Sequence, residues 1–437
     1  MRSPSTVTVQ YFALMKKLVA VLFLLPSLAF AQPVAIKAAR LFDGTSDTLV
    51  QNAVVVVDGN RITAIGGPIP ANARVIDLGD ATLLPGFIDA HVHLTMESGD
   101  NYYLDFFTQM MRHPPEQALL ATTYARKTID AGFTTVRNVG AGDYVDVGLR
   151  NAINSGWVIG PRMLVSVYAI SSTGGHADFF PIAPERGYEQ KGPMQGICNG
   201  VGECRAAVRY QIKYGADLIK FMPSGGVLSL GDPVDAPELS QEEMNAIVEE
   251  AHHWGRKVAA HCHGDTAARM AVQAGVDSIE HGSFMKPDTL TMMKEHGTYL
   301  VPTLLAGDWV IRSINKFPAP IAAKGRAAVA ARSDMFRNAL KIGVKIAFGT
   351  DSAVSPHGMN ALEFALMTGL GMSPAAALRS ATSVAAALLG VEDRVGTLTA
   401  GKLADIIAVP GNPLDDIHQT EHVFFVMKEG QVIKNAR

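Results

Sequence analysis

Apolar and polar positions follow two different rhythms along this chain, and the rhythm changes twice. From about residue 34 to 85 the apolar runs are short and bounded by turns. "AVVVVDGNRITAIGG" joins two of them through Asp58-Gly59-Asn60, a strong hairpin signal, and "ARVIDLGDATLLPG" adds further short strands. The same rhythm returns near the other end in "GKLADIIAVPG" and "HVFFVMKEGQVIKN", the latter turning at Glu429-Gly430. Strand-rich ends around a different middle predict one small β-sandwich domain, built from 34–85 plus 393–437.

Between them, over 86–392, strand patterns alternate with helical ones. The strand candidates are "FIDAHVHL", "TTVRNVG", "RMLVSVYAI", "LIKFMPSGG", "KVAAHCHG", "DSIEHGS", "YLVPTLL" and "KIAFGTDS". A typical intervening helix is "SQEEMNAIVEEAHHWG", where Ser240 and Glu243 form a capping box and Gly255 ends the helix. Eight such strands over roughly 300 residues predict an α/β fold, a (β/α)8 TIM barrel.

Composition narrows the class. The 437 residues carry 38 basic and 41 acidic side chains, a net charge of −3, which advertises no nucleic-acid partner. "MKKLVAVLFLLPSLAFAQ" has a charged start, an apolar stretch and an Ala29-Phe30-Ala31 cleavage site, so residues 1–31 read as a signal peptide whose true start is Met15. The expectation is an exported bacterial protein, periplasmic or secreted, with no membrane association after cleavage. Cys198 and Cys204 flank "NGVGE" and read equally as a small disulfide loop or as two thiols. Cys262 alternates away from its two neighbouring histidines and reads as packing in the helix layer.

Chemistry collects where a barrel keeps its active site, at the C-terminal ends of the strands. There lie His91 and His93, Lys220, His261 and His263, His281, and Asp351. Residues two apart on a strand share a face, so His91 and His93 form a ready two-point grip for a metal ion. Lys220 ends an apolar run, where a lysine in isolation packs its stem and sends its head to water. An ammonium has no lone pair for a metal. Burial and nearby cations lower its pKa, however, and the neutral amine can take up carbon dioxide to become a carbamate, a carboxylate on a long stem.

"PGFIDAHVHL", "LIKFMPSGGV", "VAAHCHG", "SIEHG", "GTDS" and "GTLTAGKLAD" resemble the amidohydrolase superfamily, binuclear type, from about residue 34 to the end. Within it the likeness is to the prolidase-like branch, comprising Xaa-Pro and Xaa-Lys/Arg dipeptidases and ochratoxin-hydrolysing enzymes. The resemblance implies two divalent ions, zinc foremost. His91, His93 and Asp351 would hold one, His261 and His281 the other, and carboxylated Lys220 would bridge them with a hydroxide. His263 would face the substrate. The hydroxide would attack the amide carbonyl, and Asp351 would carry its proton to the leaving nitrogen.

Asn138 stands where the family pattern leads one to expect Asp, a departure that bears on fine tuning. His176, on the Gly-rich "SSTGGHADFF" loop, is read either as a carbonyl-polarising or carboxylate-binding group or as a loop-structuring one; Tyr168 and His357 are weaker candidates. Arg137 reads as a structural ion-pair partner, and Ser224 has no partners for a triad. The expected substrate is a small dipeptide or N-acyl amino acid, and a homo-oligomer is expected. A cyclic amide or lactone hydrolase is the alternative on the same metals, and a non-catalytic exported binding protein the remote one. Specificity is assigned to loops 95–118, 171–200 and 305–325.

Overall fold

The structure is a computed structural model that describes residues 32–99, 101–178, 183–186 and 190–436. The segment read as a signal peptide and part of loop 171–200 lie outside the described residues. Among these residues no helix is long and apolar enough to cross a membrane.

The N-terminal strands are β1 (Val34–Leu41), β2 (Val50–Asp58), β3 (Arg61–Ile65), β4 (Arg74–Asp77) and β5 (Ala81–Pro85). A parallel array follows: β6 (Phe87–Val92), β7 (Phe133–Asn138), β8 (Arg162–Val165), β9 (Leu218–Phe221), β10 (Lys257–Cys262), β11 (Ser278–His281) and β12 (Tyr299–Val301). The chain closes with β13 (Ile406–Pro410), β14 (Phe425–Lys428) and β15 (Gln431–Asn435).

The two chain ends meet in one mixed sheet, ordered β15-β14-β13-β5-β1-β2-β3, with β4 also on β1. Its joint is β5, buried along its whole length: Leu83 stands opposite Leu41 of β1 in parallel and opposite Ala408 of β13 antiparallel. The two hairpin turns touch across this junction. A Cβ on Gly430 (φ +77°) would lie 2.1 Å from the Gly59 carbonyl oxygen, so only glycine fits that turn.

The parallel strands form two sheets, β6-β7-β8 and β12-β11-β10-β9. A bridge from Ile170 to Phe221 joins the segment after β8 to β9. Residues 345–352, expected as an eighth strand, form none. They run between β12 and β6 with single parallel bridges at Leu300–Ile346 and Val92–Ser352. At the far end of this segment Asp351 (φ +57°) and, just beyond it, Ala353 (φ +133°) leave the extended region and break the pleat.

Phe87 and Phe133, the first residues of β6 and β7, pack with Phe348 and Phe364 at centroid separations of 4.5–5.5 Å. This apolar plug fills the N-terminal end of the array and leaves the other end open for polar groups. The helix expected from its capping box spans Gln241–His253, with the Ser240 and Glu243 bonds both formed. Cys198 and Cys204 are disulfide-bonded.

Candidate active site

At the C-terminal ends of these strands lies a cavity of about 980 Å³, lined by His91, His93, His176, Lys220, His261, His263, His281 and Asp351. The structure therefore brings together every residue named in the predicted constellation, although from slightly different positions. His93 and His263 stand one residue beyond β6 and β10, and Asp351 stands on the unpleated segment. Ligand atoms of His261, His263 and His281 lie within 4.8 Å of one another, as do those of His91, His281 and Asp351. His281 thus belongs to both groups. His263, turned toward the substrate by the resemblance, has its ring stacked on His281 at 4.9 Å and 11°.

Hydrogen bonding shows what this cluster is fit to hold. His91 Nδ1 lies 2.7 Å from a Glu280 carboxylate oxygen, and His93 Nδ1 lies 3.1 Å from the Gly140 carbonyl. Both partners only accept, so each neutral ring carries its proton on Nδ1 and turns a lone pair outward from Nε2. Those two lone pairs meet Asp351 Oδ1 at 3.5 and 3.3 Å. Three acceptors converging without a donor call for a cation between them. The buried His261 Nε2 has no hydrogen-bond partner, a second orphan that a metal ion would satisfy. His281 and His263 are oriented through Nδ1 by Thr303 Oγ1 (2.6 Å) and Ser283 Oγ (2.9 Å). The donor set fits divalent metal ions.

The electrostatics point the same way. Burial, joined by the charge of Lys220, pushes His91 down to about 4. Burial and neighbouring histidines keep His261 and His281 well below the ordinary range. Neutral imidazoles are the ligand form. Asp351 is driven upward by burial, but His91, His93 and Lys220 outweigh that and hold it below its usual value. Lys220 is 1% exposed, and burial pulls its ammonium down to about 8 against the attraction of Glu280 and Asp351. A buried lysine so placed has a sizeable neutral fraction near pH 8, as carbamate formation requires.

His176 joins the cluster, its ring stacked on His261 at 4.3 Å and its Nδ1 2.8 Å from Ser229 Oγ. Tyr168 lines the cavity and bonds to Asp143, whereas His357 packs on Tyr124 and is not among the lining residues. Arg137 is the structural partner expected, 2.7 Å from Glu280. Asn138 accepts from the Leu94 amide and donates to Asp146, supporting the loop behind His93. Cys262 is buried in the helix layer, its thiol pushed up to about 12 by burial.

Sequence reasoning missed Glu280, although it sits inside the "SIEH" motif. Its one visible signal was an acidic residue directly before the candidate ligand His281 on the same short strand. Thr303, Ser283 and Ser229 carried no signal, being hydroxyl residues on loops.

The sequence profile of the amidohydrolase family matches residues 82–435. The chain belongs to the amidohydrolase family. This amidohydrolase is 34% identical over 428 residues to the ochratoxinase of Aspergillus niger, covering 92% of this chain and 87% of that one. The crystal structure of a Xaa-Pro dipeptidase with bound methionine in the active site superposes with a TM-score of 0.87 at 42% identity, over 92% of this chain and 100% of that one. A prolidase complexed with N-methylphosphonate-L-proline gives 0.84 at 32% identity, over 92% and 100%. These similarities set the amidohydrolase in the prolidase-like branch and make it a hydrolase acting on amide bonds.

Proposed function

We propose that this amidohydrolase is a metal-dependent carboxypeptidase or dipeptidase that cleaves the amide bond of dipeptides or N-acyl amino acids, ochratoxin A among the candidates. The observation that carries the metal requirement is the convergence of His91, His93 and Asp351 lone pairs on one point, beside three further buried histidines. The ochratoxinase and dipeptidase relatives support the bond type.

His91, His93 and Asp351 would hold one divalent ion and His261 and His281 the other, with zinc the metal that imidazole and carboxylate donors suit. Lys220, as a carbamate, would bridge them. Bound there, such ions polarise a carbonyl and lower the pKa of water. Asp351 takes the proton released by the attacking water and delivers it to the departing amine. Glu280 holds His91 in the tautomer that keeps Nε2 available. His176, layered on His261 and lining the cavity, would meet the substrate.

The reading extends to architecture and location. The bridges through 345–352 and Ile170 support one closed (β/α)8 barrel over 86–392, and the mixed sheet supports a separate β-domain from 34–85 plus 393–437. The export signal and the Cys198–Cys204 bond support a periplasmic or secreted protein. The helix Tyr102–Met111 leaves Tyr103, Leu104, Phe107 and Met111 more than half exposed, which supports a homo-oligomer.

The test is amino-acid release by zinc-loaded mature protein from a panel of dipeptides and N-acyl amino acids. Release from some members and not others establishes the reaction and defines the pocket. Release from none refutes the peptidase reading and leaves cyclic amides and lactones to be assayed on the same centre.

A further inference from the structure

The cavity wall opposite the strands contains a cation that the chemistry above does not use. Arg332 lies on the long helix Ala319–Ile342 and lines the same cavity as the histidine cluster. Its Nη1 donates to the Leu304 carbonyl, and the preceding residue, Thr303, is hydrogen-bonded to His281. The guanidinium is therefore one residue removed from a side chain that touches the centre.

Arg332 is poorly compensated. A guanidinium offers five N–H donors, and the Leu304 carbonyl is the single acceptor it meets among the described residues. The carboxylates that act on it are Glu363 and Asp308. Both are committed elsewhere: the Glu363 oxygens accept the Leu304 and Leu305 amides at 2.9 and 2.6 Å, and Asp308 pairs with Arg312 at 2.8 Å. A partly buried guanidinium with no carboxylate in hydrogen-bond contact keeps donors that an anionic ligand can fill. Of the other lysines and arginines lining the cavity, Lys220 belongs to the centre itself, Arg112 stands 3.7 Å from Glu116, and Lys191 has a partner of its own.

The surroundings make room for this group and give it an apolar flank. A Cβ on Gly307 would lie 2.1 Å from Arg332 Nη1 and 3.1 Å from Val329 Cγ2, so the glycine is what lets the guanidinium lie against that helix. A Cβ on Gly325 would meet Val310 at 3.1 Å and Val227 at 3.6 Å. These valines and Val329 all line the cavity.

We propose that Arg332 is the specificity-determining residue that receives the free carboxylate of the substrate, with the side chain of that carboxyl-terminal residue lying against Val227, Val310 and Val329. The substrate class is then an N-acyl or dipeptidyl derivative of an apolar amino acid with an unblocked carboxyl group. This rests on the reading of the centre as an amide hydrolase. Guanidinium suits the task because it grips a carboxylate with two parallel hydrogen bonds, which lysine cannot reproduce.

The experiment compares N-benzoyl-leucine with N-benzoyl-leucinamide in wild type, Arg332→Met, Arg332→Lys and Gly307→Ala. Loss of the cation should lower kcat/KM for the acid by about 100-fold, mostly through KM, and leave the amide within about 3-fold. Arg332→Lys should fall between. Gly307→Ala removes nothing and favours the helix, yet should raise KM for the acid by displacing the guanidinium. An arginine that merely braced Leu304 would lower acid and amide together, and that outcome overturns the proposal.

Binding of leucine and leucinamide to the zinc-loaded proteins, followed by calorimetry, needs no turnover. If wild type hydrolyses neither compound, the peptidase reading fails. The assignment of Arg332 then stands if leucine binding weakens in Arg332→Met and falls if it does not. Should that variant not fold, Arg332→Lys and Gly307→Ala carry the same comparison.

Discussion

Glu280→Gln is the perturbation that probes the centre most directly without touching a proposed ligand. Glu280 is fully buried and serves three donors: Arg137 Nη2 at 2.7 Å, Ser278 Oγ, and His91 Nδ1 at 2.7 Å. A glutamine of the same shape must turn its NH2 toward either Arg137 or His91, placing donor against donor. It also leaves Arg137, 2% exposed, without its counter-charge. Breaking a buried pair by removing one partner costs about 3–5 kcal/mol, and the hydrogen bond that glutamine retains puts the expected loss near about 3.

The same interactions should appear in the pH dependence of stability. Burial alone would raise the Glu280 carboxyl, but Arg137 and the His91 hydrogen bond hold it down at about 2, against 4.5 for an ordinary glutamate. The native state then binds fewer protons than the unfolded state between these values. The stabilisation is complete above pH 4.5 and disappears as pH falls toward 2. At about 1.4 kcal/mol per pH unit that window is again worth about 3 kcal/mol. Denaturant unfolding as a function of pH should show the variant less stable at pH 7 and flatter on the acid side. Metal retention against a graded chelator should drop about 10–100-fold, because His91 loses its orienting partner. A variant that matches wild type in both stability and metal retention would refute the reasoning.

Three further outcomes are expected. Asp351→Asn keeps most of its metal, measured by elemental analysis, but loses about 10²–10⁴-fold in turnover; an active variant would remove Asp351 from the proton path. Metal-free enzyme reconstituted with zinc in carbon-dioxide-depleted buffer should recover less activity than with bicarbonate, and labelled bicarbonate should give a carbamate signal absent from Lys220→Arg. Glu363 is pushed up to about 8 by burial, against the pull of two backbone amides. Its native state holds a proton that the unfolded chain has lost above 4.5, so stability falls as pH rises from about 5 to 8, and Glu363→Gln should flatten that slope.

Much of this was legible in the chain. The Asp58-Gly59-Asn60 hairpin, the Ser240 capping box and seven strands are local patterns, and local chemistry sets them. The strand-end histidines were legible because parity along a strand sends alternate residues to one face. The failures are all non-local. "KIAFGTDS" has the composition of a strand, but Gly349 must pass close to His91, with a Cβ there falling 3.0 Å from His91 Cβ, and Asp351 turns left-handed. Arg332 sits in a helix whose pattern says surface, and only the packing of that helix over the cavity makes it a lining residue. Glu280 is meaningful because Arg137 arrives from a different strand.

Left-handed backbone at non-glycine positions is the feature no pattern reveals, and it gathers at this centre: His281 (φ +68°), Thr303 (φ +47°) and Asp351 (φ +57°). For a β-branched residue such as Thr303 this conformation is a genuine outlier, worth about 1–2 kcal/mol of strain, and the surroundings must impose it. Thr303 precedes the helix Leu304–Arg312, a position where its hydroxyl would ordinarily cap the helix, yet it makes no capping bond. Glu363 takes that task by accepting the Leu304 and Leu305 amides, which leaves the Thr303 hydroxyl for His281. Strain and capping are thus arranged around one histidine. Thr303→Gly should relax the backbone and raise the stability of the metal-free protein by about 1 kcal/mol, while weakening metal retention because His281 loses its partner. Thr303→Ser, which keeps the hydroxyl, should hold metal as wild type does. Equal metal retention in the glycine variant would show that the hydroxyl does not orient His281.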